Sequence, residues 1–176
     1  MPLHKTILVS LAATALAGCD LTAPTPDAAV CVLRPVGESG VTGTIRFTPD
    51  GDQIRVAGEI RGLAPGEHGF HVHRFGDLRA AKDGSSAAGH FAPEGHDHGS
   101  PDESERHVGD LGNIRADESG VATVNKVDGR IALTGEHSIL GRAIVVHADE
   151  DSFAGASGDA GARVAFGVIG RARGSR

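Results

Sequence analysis

The chain has 176 residues, room for one ordinary domain with a substantial core. It is 39% apolar but only 3% aromatic, lacks Trp and Tyr, and carries 26 glycines. Helices would have to absorb those glycines at about 1 kcal/mol each, so the mixture excludes a helical bundle and favours short strands joined by glycine turns. With 23 acidic against 17 basic residues the net charge is −6, which argues against nucleic acid as a partner, because that needs a basic face.

At the start of the chain, His4 and Lys5 precede an apolar run from Thr6 to Ala17. The run is too short to span a bilayer but has the size of a signal-peptide core. Leu16-Ala17-Gly18-Cys19 resembles the lipobox of bacterial lipoproteins. The resemblance implies that residues 1–18 are a signal peptide and that Cys19 becomes a lipidated N-terminus, which places the domain on the periplasmic side of a bacterial envelope, anchored to a membrane. Each buried acyl methylene adds roughly 0.8 kcal/mol to such an anchor, so two or three chains suffice. Cleavage removes Lys5 and no acid, taking the net charge from −6 to −7.

Residues 19–29, rich in Ala, Thr and Asp with Pro24 and Pro26, read as a tether between lipid and domain. The domain proper is expected over residues 30–171, followed by a tail at 172–176. Its first strand contains Cys31, within Val30-Cys31-Val32-Leu33. With Cys19 lipidated, a single thiol forms no internal bridge, and Cys31 reads as a small buried hydrophobe, so no disulfide is expected.

Strand-like runs follow at Val30 to Arg34, Gly43 to Thr48, Gln53 to Leu63 and His68 to Arg74, with Gly51, Pro65 and Gly66 in the turns. Close spacing predicts antiparallel hairpins. From Gly76 to Gly109 the pattern stops, and so long a connection without core-forming residues points to a functional loop. Strands resume at Leu111 to Arg115, Val121 to Val127, Ile131 to Leu133, Arg142 to His147 and Arg163 to Gly170, with a second irregular stretch at Ala148 to Ala162. The expectation is an all-β fold, a sandwich or flattened barrel of about eight antiparallel strands with two long loops.

The chemistry centres on Gly69-Phe70-His71-Val72-His73. Strand alternation puts His71 and His73 on one face and Phe70 and Val72 on the other, which can be core. His147 ends the apolar run Ile144-Val145-Val146, and the long loop adds His90, His96, His98, His107 and Asp110. His71, His73, His147 and a shared histidine would make an all-nitrogen set that suits Cu(II). Three histidines with a carboxylate suit closed, tetrahedral zinc, and His107 and Asp110, three apart, can close on one ion from a turn.

The ordered motifs Gly69-Phe70-His71-Val72-His73, Gly89-His90-Phe91, Arg106-His107-Val108-Gly109-Asp110-Leu111-Gly112-Asn113, Val145-Val146-His147 and Gly167-Val168-Ile169-Gly170 resemble those of copper-zinc superoxide dismutases, from about Val30 to Gly170. The resemblance implies an immunoglobulin-like Greek-key sandwich and the dismutation of superoxide to oxygen and hydrogen peroxide. Copper would be held by His71, His73, His90 and His147, and zinc by His90, His98, His107 and Asp110, with His90 shared as the catalytic bridge. His98 is preferred to His96 because His98-Gly99 falls in the family's register. Asp151 would tie one copper histidine to one zinc histidine, and Arg163 would receive the anion beside copper. The resemblance also implies a homodimer, built through segments such as Phe75-Gly76-Asp77, Ile139-Leu140-Gly141 and Val168-Ile169-Gly170.

Two departures from the family stand out. Gly84 and Phe166 occupy the positions of its intrasubunit disulfide, so stability should depend on bound metal and on the packing of Phe166. The stretch between His147 and Arg163 is short, lacks lysine and contains Asp149, Glu150, Asp151 and Asp159, which predicts weak steering of an anion. The competing reading is a lipoprotein that buffers or relays copper and zinc without turnover; Arg163, which a store would not need, favours the enzyme.

Overall fold

The computed structural model describes residues 26–173; Cys19, the signal segment and most of the tether lie outside the described residues. Period-two alternation becomes a barrel with one wet and one dry face. In β1 (Ala29–Pro35), Ala29, Cys31 and Leu33 point inward while Val32 and Arg34 are exposed. Ile45 and Phe47 do the same in β2 (Thr42–Asp50), and Ile54, Val56 and Ile60 in β3 (Gln53–Arg61). The remaining strands are β4 (Gly66–His73), β5 (Asp110–Ala116), β6 (Val121–Asp128), β7 (Ala143–His147) and β8 (Arg163–Arg171).

All pairings are antiparallel, in the order β5-β4-β7-β8-β1-β2-β3-β6. The two outermost strands of this row, β5 and β6, are consecutive in sequence and face each other, so the sheet curls into a nearly closed Greek-key barrel. Where the ladder is missing, the Lys126 ammonium donates to the Leu111 and Asn113 carbonyls at 2.7 and 2.9 Å, giving the open β5 edge partners it would otherwise take from water. The all-β, eight-stranded expectation therefore holds.

Strand ends shift by a residue or two from the sequence reading, and two differences matter more. Ile131 to Leu133 is not a strand: the segment forms a single bridge, Ala132 to Ser138, and Ile131 and Leu133 are buried as plugs of a loop. Apolar alternation marks burial as readily as it marks pairing. The ordered barrel also starts before Val30, because Ala28 and Ala29 are buried and the Ala28 carbonyl accepts from the Ala172 amide at 2.9 Å. Among the described residues, no helix is long and apolar enough to cross a membrane.

β7 is buried on both faces. Ile144 and Val146 join the main core, while Ala143 and Val145 face outward into a second cluster with Val36, Ala87 and Phe166. That cluster sits under the long loop between β4 and β5, whose only regular element is a short 3-10 turn at Ser85–Ala87. Phe166 is fully buried there, with Arg34 5.0 Å above its ring, and Arg34 also donates to the Leu78 carbonyl of the loop. The loop is thus fastened at this point by apolar packing and a cation over an aromatic face. Cys31, the one cysteine among the described residues, is free and buried, and its burial pushes the thiol up to about 12.

Truncation of Phe166 to alanine should therefore cost about 3–5 kcal/mol in denaturant unfolding, while a reducing agent should leave the unfolding curve of the parent protein unchanged. A loss below about 1 kcal/mol would show that the cluster does not fasten the loop.

Candidate metal centre

The outer face of β4 and the end of β7 are covered by the loops at 74–109 and 148–162, which carry most of the polar chemistry. His71 and His73 project from β4 into this space, and His147 ends β7. Register shifts lie between Gly69 and His71 on the β5 side and between Val146 and His147 on the β8 side. Bulges of this kind re-aim a side chain, here two of the histidines. The loop residue His90 is brought in by a bridge to His73, and its neighbour Phe91 donates from its amide to the Val72 carbonyl at 2.9 Å.

Each ring is oriented by its outer nitrogen. His73 Nδ1 lies 2.7 Å from the Ala88 carbonyl, His147 Nδ1 3.2 Å from the Gly161 carbonyl, and His71 Nε2 2.8 Å from Asp151 Oδ2. Those contacts set the tautomer and turn the other nitrogen inward. The inward atoms of His71, His73 and His147, with one nitrogen of His90, all lie within 4.8 Å of one another. His71 Nδ1 and His90 Nε2 are buried there with no hydrogen-bond partner.

A second group adjoins the first. Asp110 Oδ1 sits 2.8 Å from His90 Nδ1, 3.0 Å from His98 Nδ1 and 3.1 Å from His107 Nδ1. The other oxygen, Oδ2, accepts from the Gly99 and His107 amides, both at 3.1 Å. Three ring nitrogens crowd one carboxylate oxygen, and His98 Nδ1 is not in hydrogen-bond geometry with it. Three ring nitrogens converging on one carboxylate oxygen, one of them left without a partner, fit a cation at that point better than they fit each other. His90 belongs to both groups, Nδ1 to one and Nε2 to the other. His96 stays outside and contacts Glu94 instead.

Asp151 ties the groups together, with Oδ2 on His71 Nε2 and Oδ1 2.9 Å from His98 Nε2. Its backbone is clamped by the Asn113 amide, through a 2.7 Å bond from its own N–H and a 2.9 Å bond to its carbonyl. Gly158, at φ +70°, lets the loop pass so close that a Cβ would lie 1.7 Å from Asp151 Oδ1. Arg163 donates to the Gly84 carbonyl at 2.5 Å and to the Ala88 carbonyl at 2.6 Å. Ala88 therefore positions both His73 and Arg163, and it does so at φ 60°, ψ −151°, a region that strongly favours glycine.

Sequence reasoning missed His68. Alternation places it on the core side with Phe70, and it is buried between two carbonyls, of His147 at 2.9 Å and Ala64 at 2.8 Å. It props the backbone of His147 from behind. The roles of Gly158 and Ala88 were also invisible, since they depend on contacts across the fold.

Electrostatics separates the two groups. Desolvation lowers His71 and His73, and takes His90 to about 4 and His147 to about 3. The Arg163 charge adds to this at His73 and His147. These rings are neutral at physiological pH, as ligation requires. Burial opposes ionisation of His98 as well, but its contacts with Asp110 and Asp151 and the charges of both outweigh it and push His98 up to about 9. Burial would raise both carboxyls; hydrogen bonds from His107 and His90 and the close approach of His98 nevertheless hold Asp110 well below the usual carboxylate range, and hydrogen bonds from His71 and His98 do the same to Asp151.

A Greek-key barrel whose loops set a four-nitrogen cluster beside a three-nitrogen, one-carboxylate cluster defines a metalloprotein for two unlike ions. Residues 41–169 match the family model for copper/zinc superoxide dismutase, and the chain belongs to that family of copper- and zinc-binding oxidoreductases. It is also similar to a solved structure, a crystal structure analysis of the clock protein EA4, with 42% identity and a TM-score of 0.80 over 88% of this chain and 100% of that one.

Stability of the metal-free protein should peak near pH 6.5. Below that value the unfolded chain takes up protons that the depressed His90 and His147 refuse until about pH 4 and 3, so stability falls on acidification. Above it, folded His98 keeps a proton until about pH 9 that the unfolded chain has lost, so stability falls again. Urea unfolding of metal-free protein at pH 5, 6.5 and 8.5 checks this, and a monotonic rise with pH would contradict it.

Proposed function

We propose that the protein dismutates superoxide, converting two superoxide anions and two protons into one oxygen and one hydrogen peroxide. His71, His73, His90 and His147 would hold copper; His90, His98, His107 and Asp110 would hold zinc. The observation that carries this reading is the position of the His90 ring, a member of both groups. When bound, copper supplies a one-electron couple and zinc a fixed positive charge that holds the ring.

The chain's own residues do the rest. His90 Nδ1 is held toward Asp110 at 2.8 Å, leaving Nε2 as the atom at which a proton can be held and handed to reduced dioxygen. Asp151 fixes His71 and His98, so that both groups keep one spacing while that proton moves. Arg163 is half-buried with two nitrogens engaged by carbonyls, which prevents its guanidinium from swinging away. It offers a fixed positive charge and directed donors to a small anion. Asp149, Glu150 and Asp159 of the short loop are exposed and oppose the approach of that anion, whereas Asp151 is buried against its histidines.

Replacement of Arg163 by alanine should lower kcat/KM about 10- to 100-fold, the worth of a charge-assisted hydrogen bond, with copper and zinc content unchanged. Chelated protein should be inactive until both ions are restored. If the loaded protein clears superoxide no faster than the free ions do, it is a metal store and the enzyme reading fails.

We also propose export, removal of residues 1–18 and lipidation of Cys19, with a role in antioxidant defence of the cell envelope, and pairing into a homodimer. The lipobox-like Leu16-Ala17-Gly18-Cys19 supports the anchor. Support for the dimer is an exposed apolar patch: Phe75 at 53%, Val168 at 38% and Val32 at 66% exposure. Its segments adjoin, because Gly76 abuts the Gly141 carbonyl and Val168, and the Gly141 amide donates to the Ile169 carbonyl at 2.9 Å. Cys19→Ser should shift the protein from the membrane to the soluble fraction. In sedimentation velocity that soluble form should run at twice its chain mass, and a monomer at micromolar concentration would remove the dimer.

A further inference from the structure

The chain has ten histidines, and six lie in the two buried groups. His68 is locked between carbonyls, and His4 lies outside the described residues. The remaining two, His96 from the long loop and His137 from the β6–β7 connection, converge on one carboxylate. Glu94 Oε1 lies 3.1 Å from His137 Nε2, and Glu94 Oε2 lies 3.4 Å from His96 Nε2. We infer that Glu94, His96 and His137 form a third metal site, open to solvent, for a divalent late transition ion such as Zn(II) or Cu(II).

The donor set is right for such an ion, since imidazole and carboxylate together suit zinc and copper. The His137 ring is also set for ligation. Its Nδ1 faces the Arg130 carbonyl at 2.9 Å, and a carbonyl only accepts, so Nδ1 carries the hydrogen. Nε2 is thereby aimed at Glu94 Oε1, 3.1 Å away, and a cation placed between them takes the place of the proton that would otherwise bridge the two. His73 and His147, in the buried groups, are oriented in the same way, each with Nδ1 on a backbone carbonyl.

Access and mobility fit an external ion. The side chains of His96, Glu94 and His137 are 33%, 34% and 30% exposed. Unlike the two interior groups, these three side chains do not offer donor atoms all within 4.8 Å of one another, so a bound ion has to draw His96 toward His137. Arg130 is the competitor: it donates to Glu94 Oε2 and to the Ser104 carbonyl, and its Nε is buried without a partner. An ion bound here would tie the loop that carries His98 to the β6–β7 connection.

The test is equilibrium dialysis of Zn(II) against the full-length protein with both interior sites filled, with interior copper and zinc counted separately in every variant. One further equivalent of zinc is expected. His96→Ala and His137→Ala should each weaken it about tenfold or more, while Arg130→Gln, which frees Glu94 Oε2, should tighten it severalfold. Because His96 is partly exposed, its variant keeps the test valid should His137→Ala disturb the loop. No third equivalent would overturn the inference and leave His137 and Glu94 as a proton-bridged ion pair; so would a third equivalent held with unchanged affinity in both histidine variants. Either result leaves the interior metal count, and with it the dismutase reading, untouched.

Discussion

The structure depends on an accumulation of buried polar groups that cannot satisfy one another. His71, His73, His90, His98, His147, Asp110 and Asp151 are all buried, and several ring nitrogens among them have no hydrogen-bond partner. Stranded groups of this kind cost a few kcal/mol each unless something compensates them. Two cations would compensate nearly all of them at once, and they would do so only if the loops at 74–109 and 148–162 lie where they do. Fold and metal are therefore two sides of one balance: the barrel supplies fixed strand ends, and the ions supply what apolar burial cannot give the loops.

The chain divides this work unevenly. The barrel has a continuous core of Val, Ile, Leu and Phe, with its seam closed by Lys126. The loops have little of their own. They are attached to the barrel at discrete points: the Phe166 cluster, the buried Arg106 to Asp128 pair at 2.5 Å, the Asn113 clamp on Asp151, and the Ala88 carbonyl shared by His73 and Arg163. With no disulfide among the described residues, Phe166 fastens the loop by packing and Arg34 by its hydrogen bond to the Leu78 carbonyl. Arg163 keeps its place because it is held by backbone carbonyls on the loop that Phe166 fastens.

Net charge and local charge also act separately. The protein is acidic overall, and the exposed acids of the 148–162 loop add to that, yet the carboxylates that touch the candidate copper ligands, Asp110 and Asp151, are buried among histidines, and Arg163 stands beside His73 and His147 as a fixed positive charge. The field at the mouth of a site is set by what lies within a Debye length or so, where the Arg163 guanidinium attracts an anion and the exposed Asp149, Glu150 and Asp159 oppose it. Asp151 is spent inside, on His71 and His98, so it does not contribute as a free surface charge.

Much of this was legible in the linear chain, for reasons of periodicity. Alternation with glycine turns determined an all-β barrel; His71-Val72-His73 on an alternating strand determined that two imidazoles share a face opposite Phe70 and Val72; the ordered motifs identified the family. Ile131 to Leu133 misled because burial in a plug and burial in a strand produce the same apolar letters. What only the tertiary structure decided is which nitrogen of each ring turns inward, since that follows from carbonyls of Ala88 and Gly161 and a carboxylate of Asp151 that are far away in sequence or set by loop geometry. The same holds for His68 behind His147, for the Gly158 approach, and for His96 and His137 meeting at Glu94. A strand's own pattern fixes the face on which a side chain emerges; the partner it meets there is fixed by chain closure over many residues, which no local pattern encodes.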